Sequence, residues 1–517
     1  MGLKLGPVLR LRDCDQANAL WRVSALIVTD GDEPDLKADI GNVTKHDLAD
    51  KLGLKFWRFD IDVKMLPDRQ QSVAYRVIGS DEEWSFEVPA KGAQPKFAYV
   101  SCNGFSSFKL MKSVDDKNAL WKDIAKRHRE AATSSDRYQV LLMGGDQVYA
   151  DSMWDMVKPL RAWNHLSWSV GGKPNREKFK PATATLVAGL QEHFYKTMYC
   201  DRWNQPEVRE VLARIPTIMM WDDHDIMDGW GSYPDEQLQS PVYQLIFQIA
   251  QECFELFQLQ GTKGDPVFIP GIKTGYSQVY DFGVLAILVP DLRSERTLDQ
   301  VVSPPSWEAI YAALDKVAGP GGRQKGTCRQ LLVMSSIPVM HARFGQIETI
   351  LGWIPGQQEL EDDLHDHWSS RPHRAERLRL IHRLLDFAER EKTRVTIVSG
   401  DVHVAAHASI VSDRKDGEEN AEALVQLTSS AVVHPAPPAI MQFALNHLFE
   451  EDEEIDRGIT GHMEKMPGDE RRYIAARNWL SLEPDDPTKP PQYRIWANWY
   501  IEGELDQPFT RVIHPVE

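Results

Sequence analysis

At 517 residues, the chain is too long for one simple core, and two or more domains are expected. A formal net charge of −17 argues against a general nucleic-acid surface, because phosphate backbones are bound by clustered Lys and Arg. The five cysteines are scattered and include no CxxC pair, which argues against both a disulfide framework and a cysteine zinc site.

The N-terminus lacks the basic region and the apolar core of a signal peptide. No apolar run approaches the roughly 20 residues that span a bilayer. These two observations predict a cytoplasmic protein without a membrane span.

Residues 1–93 have the pattern of an all-β segment. Short runs rich in β-branched and aromatic residues alternate with Gly, Asp and Pro, at 8–12, 20–29, 56–64, 73–78 and 84–88. This spacing predicts an N-terminal β-sandwich-like domain over residues 1–93, followed by a linker at 91–95.

From residue 96 the pattern becomes that of an α/β domain, which we expect to extend to residue 517. Six apolar runs, each of strand length, finish in polar and often titratable residues; they lie at 97–101, 138–143, 214–221, 284–289, 331–334 and 394–399. In open α/β sheets, ligands bind just outside the carboxyl ends of the strands. The six strand ends are therefore predicted to converge on one site.

Helical periodicity over residues 118–131, 241–259, 375–389 and 440–449 predicts helices that cover the sheets. Residues 352–372 are rich in Pro and Asp and contain His365 and His367, which suggests a lid or, equally, a solvated loop. The acidic run 450–456 is predicted to be a solvated face or a mobile loop. Two strand-like stretches between residues 478 and 503 predict a C-terminal hairpin.

Three strand-end motifs carry the chemistry, namely Gly145-Asp146-Gln147-Val148-Tyr149, Trp221-Asp222-Asp223-His224-Asp225 and Gly400-Asp401-Val402-His403. So many carboxylates in one place are unfavourable unless a cation neutralises them. Aspartates with an imidazole predict a metal site, in which one carboxylate can bridge two cations. Two adjacent cations would clamp a phosphoryl group and activate a water.

The three motifs, in this order, resemble those of the alkaline phosphatase D (PhoD-like) family, a branch of the calcineurin-like metallophosphoesterases. The strand that ends in Ser101-Cys102 and the stretch Asp291-Leu292-Arg293-Ser294-Glu295-Arg296 resemble that family too. The resemblance implies a four-layer α/β/β/α catalytic domain with a two-metal site.

Residue by residue, the resemblance implies the following roles. The metal ligands would be Cys102, Asp146, Tyr149, Asp223, Asp401 and His403, with Asp146 bridging the two metals. His224 would stabilise or protonate the leaving oxygen. Asp222 and Asp228 are candidate additional ligands, and Arg293 either contacts a substrate phosphate or braces its loop through Asp291.

The implied cofactor is a binuclear centre of Fe³⁺ and a divalent ion such as Ca²⁺, with Zn²⁺ or Mn²⁺ as alternatives. The partner would be a small phosphorylated substrate, while the sequence leaves the oligomeric state open. Secreted members of the family carry a twin-arginine signal that this sequence lacks, so an extracellular role is not expected.

Two other functions stay open at this point. One is activity on phosphodiesters, of the phospholipase-D-like kind, rather than on monoesters. The other is a non-catalytic metal-binding protein, which His224 beside Asp223 argues against.

Overall fold

The computed structural model describes residues 2–133, 136–161, 180–318, 328–341, 368, 373–413, 424–447, 452–485 and 493–516. The predicted lid at 352–372, with His365 and His367, lies outside these residues except for Trp368.

A ten-stranded sheet forms around three parallel strands that end at predicted site motifs. Its order among the described residues is β22 (Phe509–Ile513), β21 (Ile495–Ile501), β20 (Asn478–Pro484), β8 (Phe97–Val100), β9 (Val140–Gly144), β10 (Thr217–Met220), β1 (Leu3–Asp15), β2 (Leu20–Thr29), β5 (Leu54–Lys64) and β4 (Asn42–Lys51). Strands β8, β9 and β10 are parallel, so their carboxyl ends share one edge. β20 and β21 pair in antiparallel fashion at the position of the expected hairpin, and β20 continues the sheet beside β8.

The second large sheet carries the remaining site strands. Its order is β11 (Gln278–Asp281), β12 (Leu285–Val289), β13 (Gln330–Ser335), β14 (Arg394–Ser399), β16 (Leu424–Ser429), β15 (Ala405–Ser412), β18 (Ile459–Glu464) and β17 (Asp452–Asp456), with β19 (Tyr473–Ile474) against β15. Strands β12, β13, β14 and β16 are parallel, which again gathers their carboxyl ends.

The N-terminal strands divide between two sheets. β3 (Leu36–Ala38), β6 (Gln71–Val77) and β7 (Trp84–Val88) form a small sheet, whereas β1, β2, β5 and β4 extend the first large sheet beyond β10. The pairing of Arg10 with Thr217 makes this junction. A separate domain over residues 1–93 stays a prediction, and these strands share a sheet with the strands of the site.

Helices form at the four positions where helical periodicity predicts them, and further helices form elsewhere. The described helices are Phe108–Ser113, Ala119–Arg129, Met153–Met156, Ala184–Glu192, Pro206–Leu212, Asp235–Leu238, Pro241–Cys253, Pro304–Ala318, Arg374–Glu391 and Ala439–His447, with a 3₁₀ turn at Ala150–Ser152 and π-helical turns at His193–Asp201 and Phe254–Gln258. None of the described helices combines the length and the apolar character that a bilayer crossing requires.

Three large clusters of buried apolar side chains among the described residues hold these elements together. The first packs the helices Ala119–Arg129 and Pro241–Cys253 against the ten-stranded sheet. The second contains side chains from both large sheets, such as Leu142 and Ile287. The third packs the helices Pro304–Ala318 and Arg374–Glu391 against the second sheet. The chain therefore has a mixed α/β fold built on two large sheets.

Asp452 and Glu454 are exposed, as the solvated-face alternative for the acidic run predicted, but the mobile-loop alternative was wrong because Asp452–Asp456 forms strand β17. The reason is a buried ion pair. Arg377 donates from Nη1 and Nη2 to the two carboxylate oxygens of Glu453 at 2.8 and 2.7 Å, and from Nε to the carbonyl of Val339 at 2.6 Å. One guanidinium thus joins the helix Arg374–Glu391 to the edge of the second sheet.

Arg377→Met should destabilise the fold, because it leaves the Glu453 carboxylate buried without its cation. Removing one partner of a buried pair costs about 3–5 kcal/mol. Urea denaturation followed by circular dichroism measures the loss. Arg379→Met, on the exposed side of the same helix, is the matched control, and equal destabilisation by the two variants would contradict the assigned role of the ion pair.

Candidate metal centre

The carboxyl ends of strands from both large sheets meet at one place. The backbone N–H of Cys102, after β8, donates to the carbonyl of Gly145, after β9, at 3.3 Å. A Cβ on Gly145, which has φ +106°, would lie 2.9 Å from Cβ of Asp222 and 3.3 Å from Cβ of Ser336. The loops after β8, β9, β10 and β13 therefore touch, and glycine is needed where they cross.

Four aspartates and a histidine gather at this crossing. Ligand atoms of Asp146, Asp223 and His224 lie within 4.8 Å of one another, as do those of Asp146, Asp222, Asp223 and Asp401. Like Asp223, Asp146 belongs to both groups, which is the position required of a bridging carboxylate. Its Oδ1 is buried and has no hydrogen-bond partner among the described residues. The donor set fits cation binding.

The electrostatics of the cluster favour a cation. Burial, together with the charges of Asp222, Asp223 and Asp225, raises the pKa of Asp146 well above its usual value, although His224 opposes the shift. A carboxylate in such a place is costly to ionise without a positive neighbour. A bound metal ion would instead favour the ionised carboxylate and lower its pKa.

The predicted thiolate, phenolate and imidazole ligands flank Asp146. Cys102 Sγ lies 3.4 Å from Asp146 Oδ2, and Tyr149 Oη lies 3.3 Å from His403 Nε2. Burial raises the pKa of both the Cys102 thiol and the Tyr149 phenol, and lowers the pKa of His403. The structure therefore brings all six predicted metal ligands to one neighbourhood.

Four of these residues have left-handed backbone conformations. The φ angles are +56° at Cys102, +55° at Asp146, +73° at Asp401 and +54° at His403. Such conformations are uncommon for residues other than glycine and cost on the order of 1–3 kcal/mol each. Backbone strain is thus concentrated in the loops that follow these strands. Such strain costs stability and is typical of functional sites.

His224 lies against Tyr149, with ring centroids 4.2 Å apart. Its Nδ1 is 2.7 Å from Asp151 Oδ2, while Asp151 Oδ1 accepts the backbone N–H of Asp228 at 2.8 Å. Burial lowers the pKa of His224, but the charges of Asp151 and Asp223 outweigh it and raise the pKa above the usual value. Sequence reasoning missed Asp151, although it follows Asp146 by five positions in the same loop.

Arg293 is fully buried beneath the cluster. Its Nε donates to Asp222 Oδ1, its Nη2 lies 3.4 Å from Asp223 Oδ1, and its Nη1 donates to the carbonyl of Trp230 at 3.1 Å. The loop is also braced through Asp291, which accepts the backbone N–H of Arg293 at 3.0 Å. A contact with substrate stays a prediction, whereas these contacts position the loop and two candidate ligands.

Of the two additional candidates, Asp222 belongs to the second ligand group, and Asp228 belongs to neither group among the described residues. Asp225, which was given no role, joins the loops instead. Its carboxylate accepts from the backbone N–H of Gln147 at 3.1 Å and of Asp222 at 2.9 Å, and from Gln258 Nε2 at 2.9 Å. Burial raises the pKa of Asp225 to about 7.

Two further residues come from the loop after β16, a strand that the sequence analysis did not predict. Ser430 Oγ accepts the backbone N–H of His403 at 3.2 Å and lies 2.9 Å from Cys102 Sγ. The ring of His434 stacks on His403 with centroids 3.8 Å apart and on Tyr149 at 5.5 Å. The available signal was that Leu424–Ser429, like the other apolar runs, finishes in polar residues, which here carry hydroxyl groups.

With this geometry in place, comparison with known proteins identifies the class. The model of the family described as PhoD related phosphatase matches residues 83–355 and 345–452, which together make up more than half of the chain. The chain belongs to this family. The resemblance read from the motifs is thereby confirmed, and a phosphatase-type hydrolase is the class it defines.

Two individual proteins are similar to the chain. The Saccharomyces cerevisiae protein described as "Uncharacterized protein YGR266W" is 26% identical over 589 residues, which cover 93% of this chain and 81% of the relative. A solved structure described as "Structure of PhoD" has a TM-score of 0.51 and 12% identity, covering 99% of this chain and 92% of the other. The second similarity is one of fold.

Asp146→Asn should lose bound metal, because a neutral amide cannot replace a carboxylate shared by two ligand groups. Asp151→Asn is the matched control: its carboxylate contacts His224 and the N–H of Asp228, so metal should be retained. Elemental analysis of the two purified variants measures the difference. Full metal content in Asp146→Asn would contradict the assignment.

Proposed function

We propose that the protein is a metal-dependent phosphoester hydrolase with a two-metal site. The observation that carries the proposal is the cluster of Asp146, Asp222, Asp223 and Asp401, in which the buried Oδ1 of Asp146 has no hydrogen-bond partner among the described residues. Membership of the PhoD related phosphatase family supports the reaction class. When bound, adjacent cations would neutralise the charge that develops on a transferred phosphoryl group.

The six predicted metal ligands divide into two sets of different chemistry, and we propose that the two sets bind different metals. Cys102 and Tyr149, beside Asp146 and His403, suit Fe³⁺, because a thiolate and a phenolate stabilise a high positive charge. Asp223, Asp401 and the shared Asp146 suit a hard divalent ion such as Ca²⁺, since their donors are carboxylate oxygens. Zn²⁺ and Mn²⁺ are the alternatives.

His224 is proposed as the proton donor to the leaving oxygen. Asp151 engages Nδ1, which leaves Nε2 as the nitrogen available to a substrate. The stacked ring of Tyr149 fixes the plane of the imidazole. Asp151 is therefore a positioning residue, and Arg293 has the same function for Asp222 and Asp223.

The proposed architecture around the site is the four-layer α/β/β/α sandwich. Three separate clusters support it: one between helices and the first sheet, one shared by the two sheets, and one between the second sheet and its helices. A site between two sheets would receive loops from both, as the contacts of Asp222 with Arg293 illustrate.

The test of the function is a phosphoester panel with the metal-replete protein, containing matched monoesters and diesters of one alcohol. We expect turnover of at least one class and its loss with a chelator. Faster hydrolysis of diesters would select the phosphodiesterase alternative. The absence of turnover on every ester, with both metals bound, would leave the non-catalytic metal-binding alternative.

His224→Ala should keep its metals and lose kcat, because the ring contributes a proton rather than a bond that holds the cation. General acid catalysis is typically worth ~10²–10⁴-fold. The loss should be smaller for nitrophenyl esters, whose leaving group needs no proton, than for alkyl esters. An unchanged kcat on alkyl esters would refute this role.

Tyr149→Phe tests the identity of the first metal. A phenolate bound to ferric iron gives a charge-transfer band, so concentrated aerobically purified protein should be coloured and the variant should lose or shift that band. Absorption spectra and elemental analysis are read on the same samples. Colourless protein that contains zinc without iron would contradict the ferric assignment and leave the hydrolase proposal standing.

A further inference from the structure

Arg202 is a half-buried cation close to the candidate metal centre. It caps the π-helical turn His193–Asp201, and its guanidinium lies over the ring of Phe105, 5.5 Å from the centroid. Within the part of the chain that the structure describes, its side chain has neither an ion-pair partner nor a hydrogen bond. The ring attracts the cation but offers no acceptor for its five N–H groups.

Two contacts fix the place of Arg202 relative to the metal ligands. The neighbouring Trp203 donates from Nε1 to the carbonyl of Gln147 at 3.1 Å, and Gln147 directly follows Asp146. On its other side, Phe105 contacts the ring of His434 with centroids 6.5 Å apart, and His434 stacks on His403. Arg202 therefore lies two side chains away from a predicted metal ligand.

The loop that carries Phe105 packs tightly on the site. A Cβ on Gly104 would lie 2.4 Å from Cδ2 of Tyr149, so the backbone of this loop packs directly against a candidate ligand. The helix Phe108–Ser113 begins three residues later and exposes Lys109 and Lys112, which likewise lack ion-pair partners among the described residues.

The covered part of the half-buried Arg202 guanidinium has no acceptor among the described residues, which is unfavourable, and burial lowers the pKa of Arg202. An anion from outside the protein would supply the missing hydrogen-bond acceptors and a negative charge. The planar guanidinium of arginine can donate two parallel hydrogen bonds to two oxygens of a phosphate or a carboxylate. Because Arg202 lies near the proposed phosphoester site, we expect such an anion to be part of the substrate.

We propose that Arg202 binds a second anionic group, a phosphate or a carboxylate, that the substrate carries in addition to its scissile phosphoester. The proposal rests on the proposed function and narrows its substrate class to polyanionic phosphoesters. Arg202 acts here in specificity rather than in the chemical step.

The test uses alkyl phosphates of increasing chain length, each compared with the α,ω-bisphosphate of the same length. The series is made as monoesters or as methyl diesters, whichever form the wild-type enzyme hydrolyses. We expect one length at which the bisphosphate has the lower KM. Arg202→Gln should raise that KM by about tenfold, on the scale of one charge-assisted hydrogen bond, without changing kcat. The KM of the singly phosphorylated compound should not change.

Arg202→Lys should restore part of the preference, since it returns the charge without the planar fork. Arg76→Gln, an exposed arginine on β6, removes the same charge elsewhere and should leave both KM values unchanged. The inference is overturned if the wild type prefers no bisphosphate, or if Arg202→Gln changes both KM values equally. Failure to hydrolyse any compound refutes the proposed function itself, and the inference with it.

Discussion

The site depends on one electrostatic constraint: Asp146, Asp222 and Asp223 are buried within ligand distance of one another and of Asp401. Among the described residues, two positive partners lie within reach, the guanidinium of Arg293 and, when protonated, the imidazole of His224. Neither of them donates a hydrogen bond to the buried Oδ1 of Asp146. Carboxylates in this arrangement repel one another and lose hydration, so the folded chain gains most from a bound cation.

The surrounding structure fixes the positions of these carboxylates. Left-handed residues turn the chain sharply where strands end, and Asp225 joins the β9 and β10 loops through backbone N–H groups. Ser430 connects the loops of Cys102 and His403. Because each loop starts from a strand in a buried sheet, side chains distant in sequence are held in fixed relation. The backbone strain is thus offset by the packing of both sheets.

Much of the fold could be predicted because buried strands and helices require apolar residues at regular spacing in the sequence. The strands β2, β7 and β14 have their predicted limits, since apolar runs are bounded there by turn residues. Edge strands were missed for the opposite reason. β4 (Asn42–Lys51) has no fully buried residue, and its sequence is largely polar. β17 reads as a solvated acidic run because its partner, Arg377, is 76 residues away.

The sequence by itself determined which strand ends carry ligand chemistry, because carboxylate, thiol and imidazole groups can be recognised without coordinates. It also determined the family, through three spaced motifs. Only the tertiary structure decided which groups meet. The pairing of His224 with Asp151, the stacking of His434 on His403 and the contact of Arg202 with Phe105 join segments far apart in the chain. Such contacts depend on the crossing of loops from two sheets, and no local pattern records them.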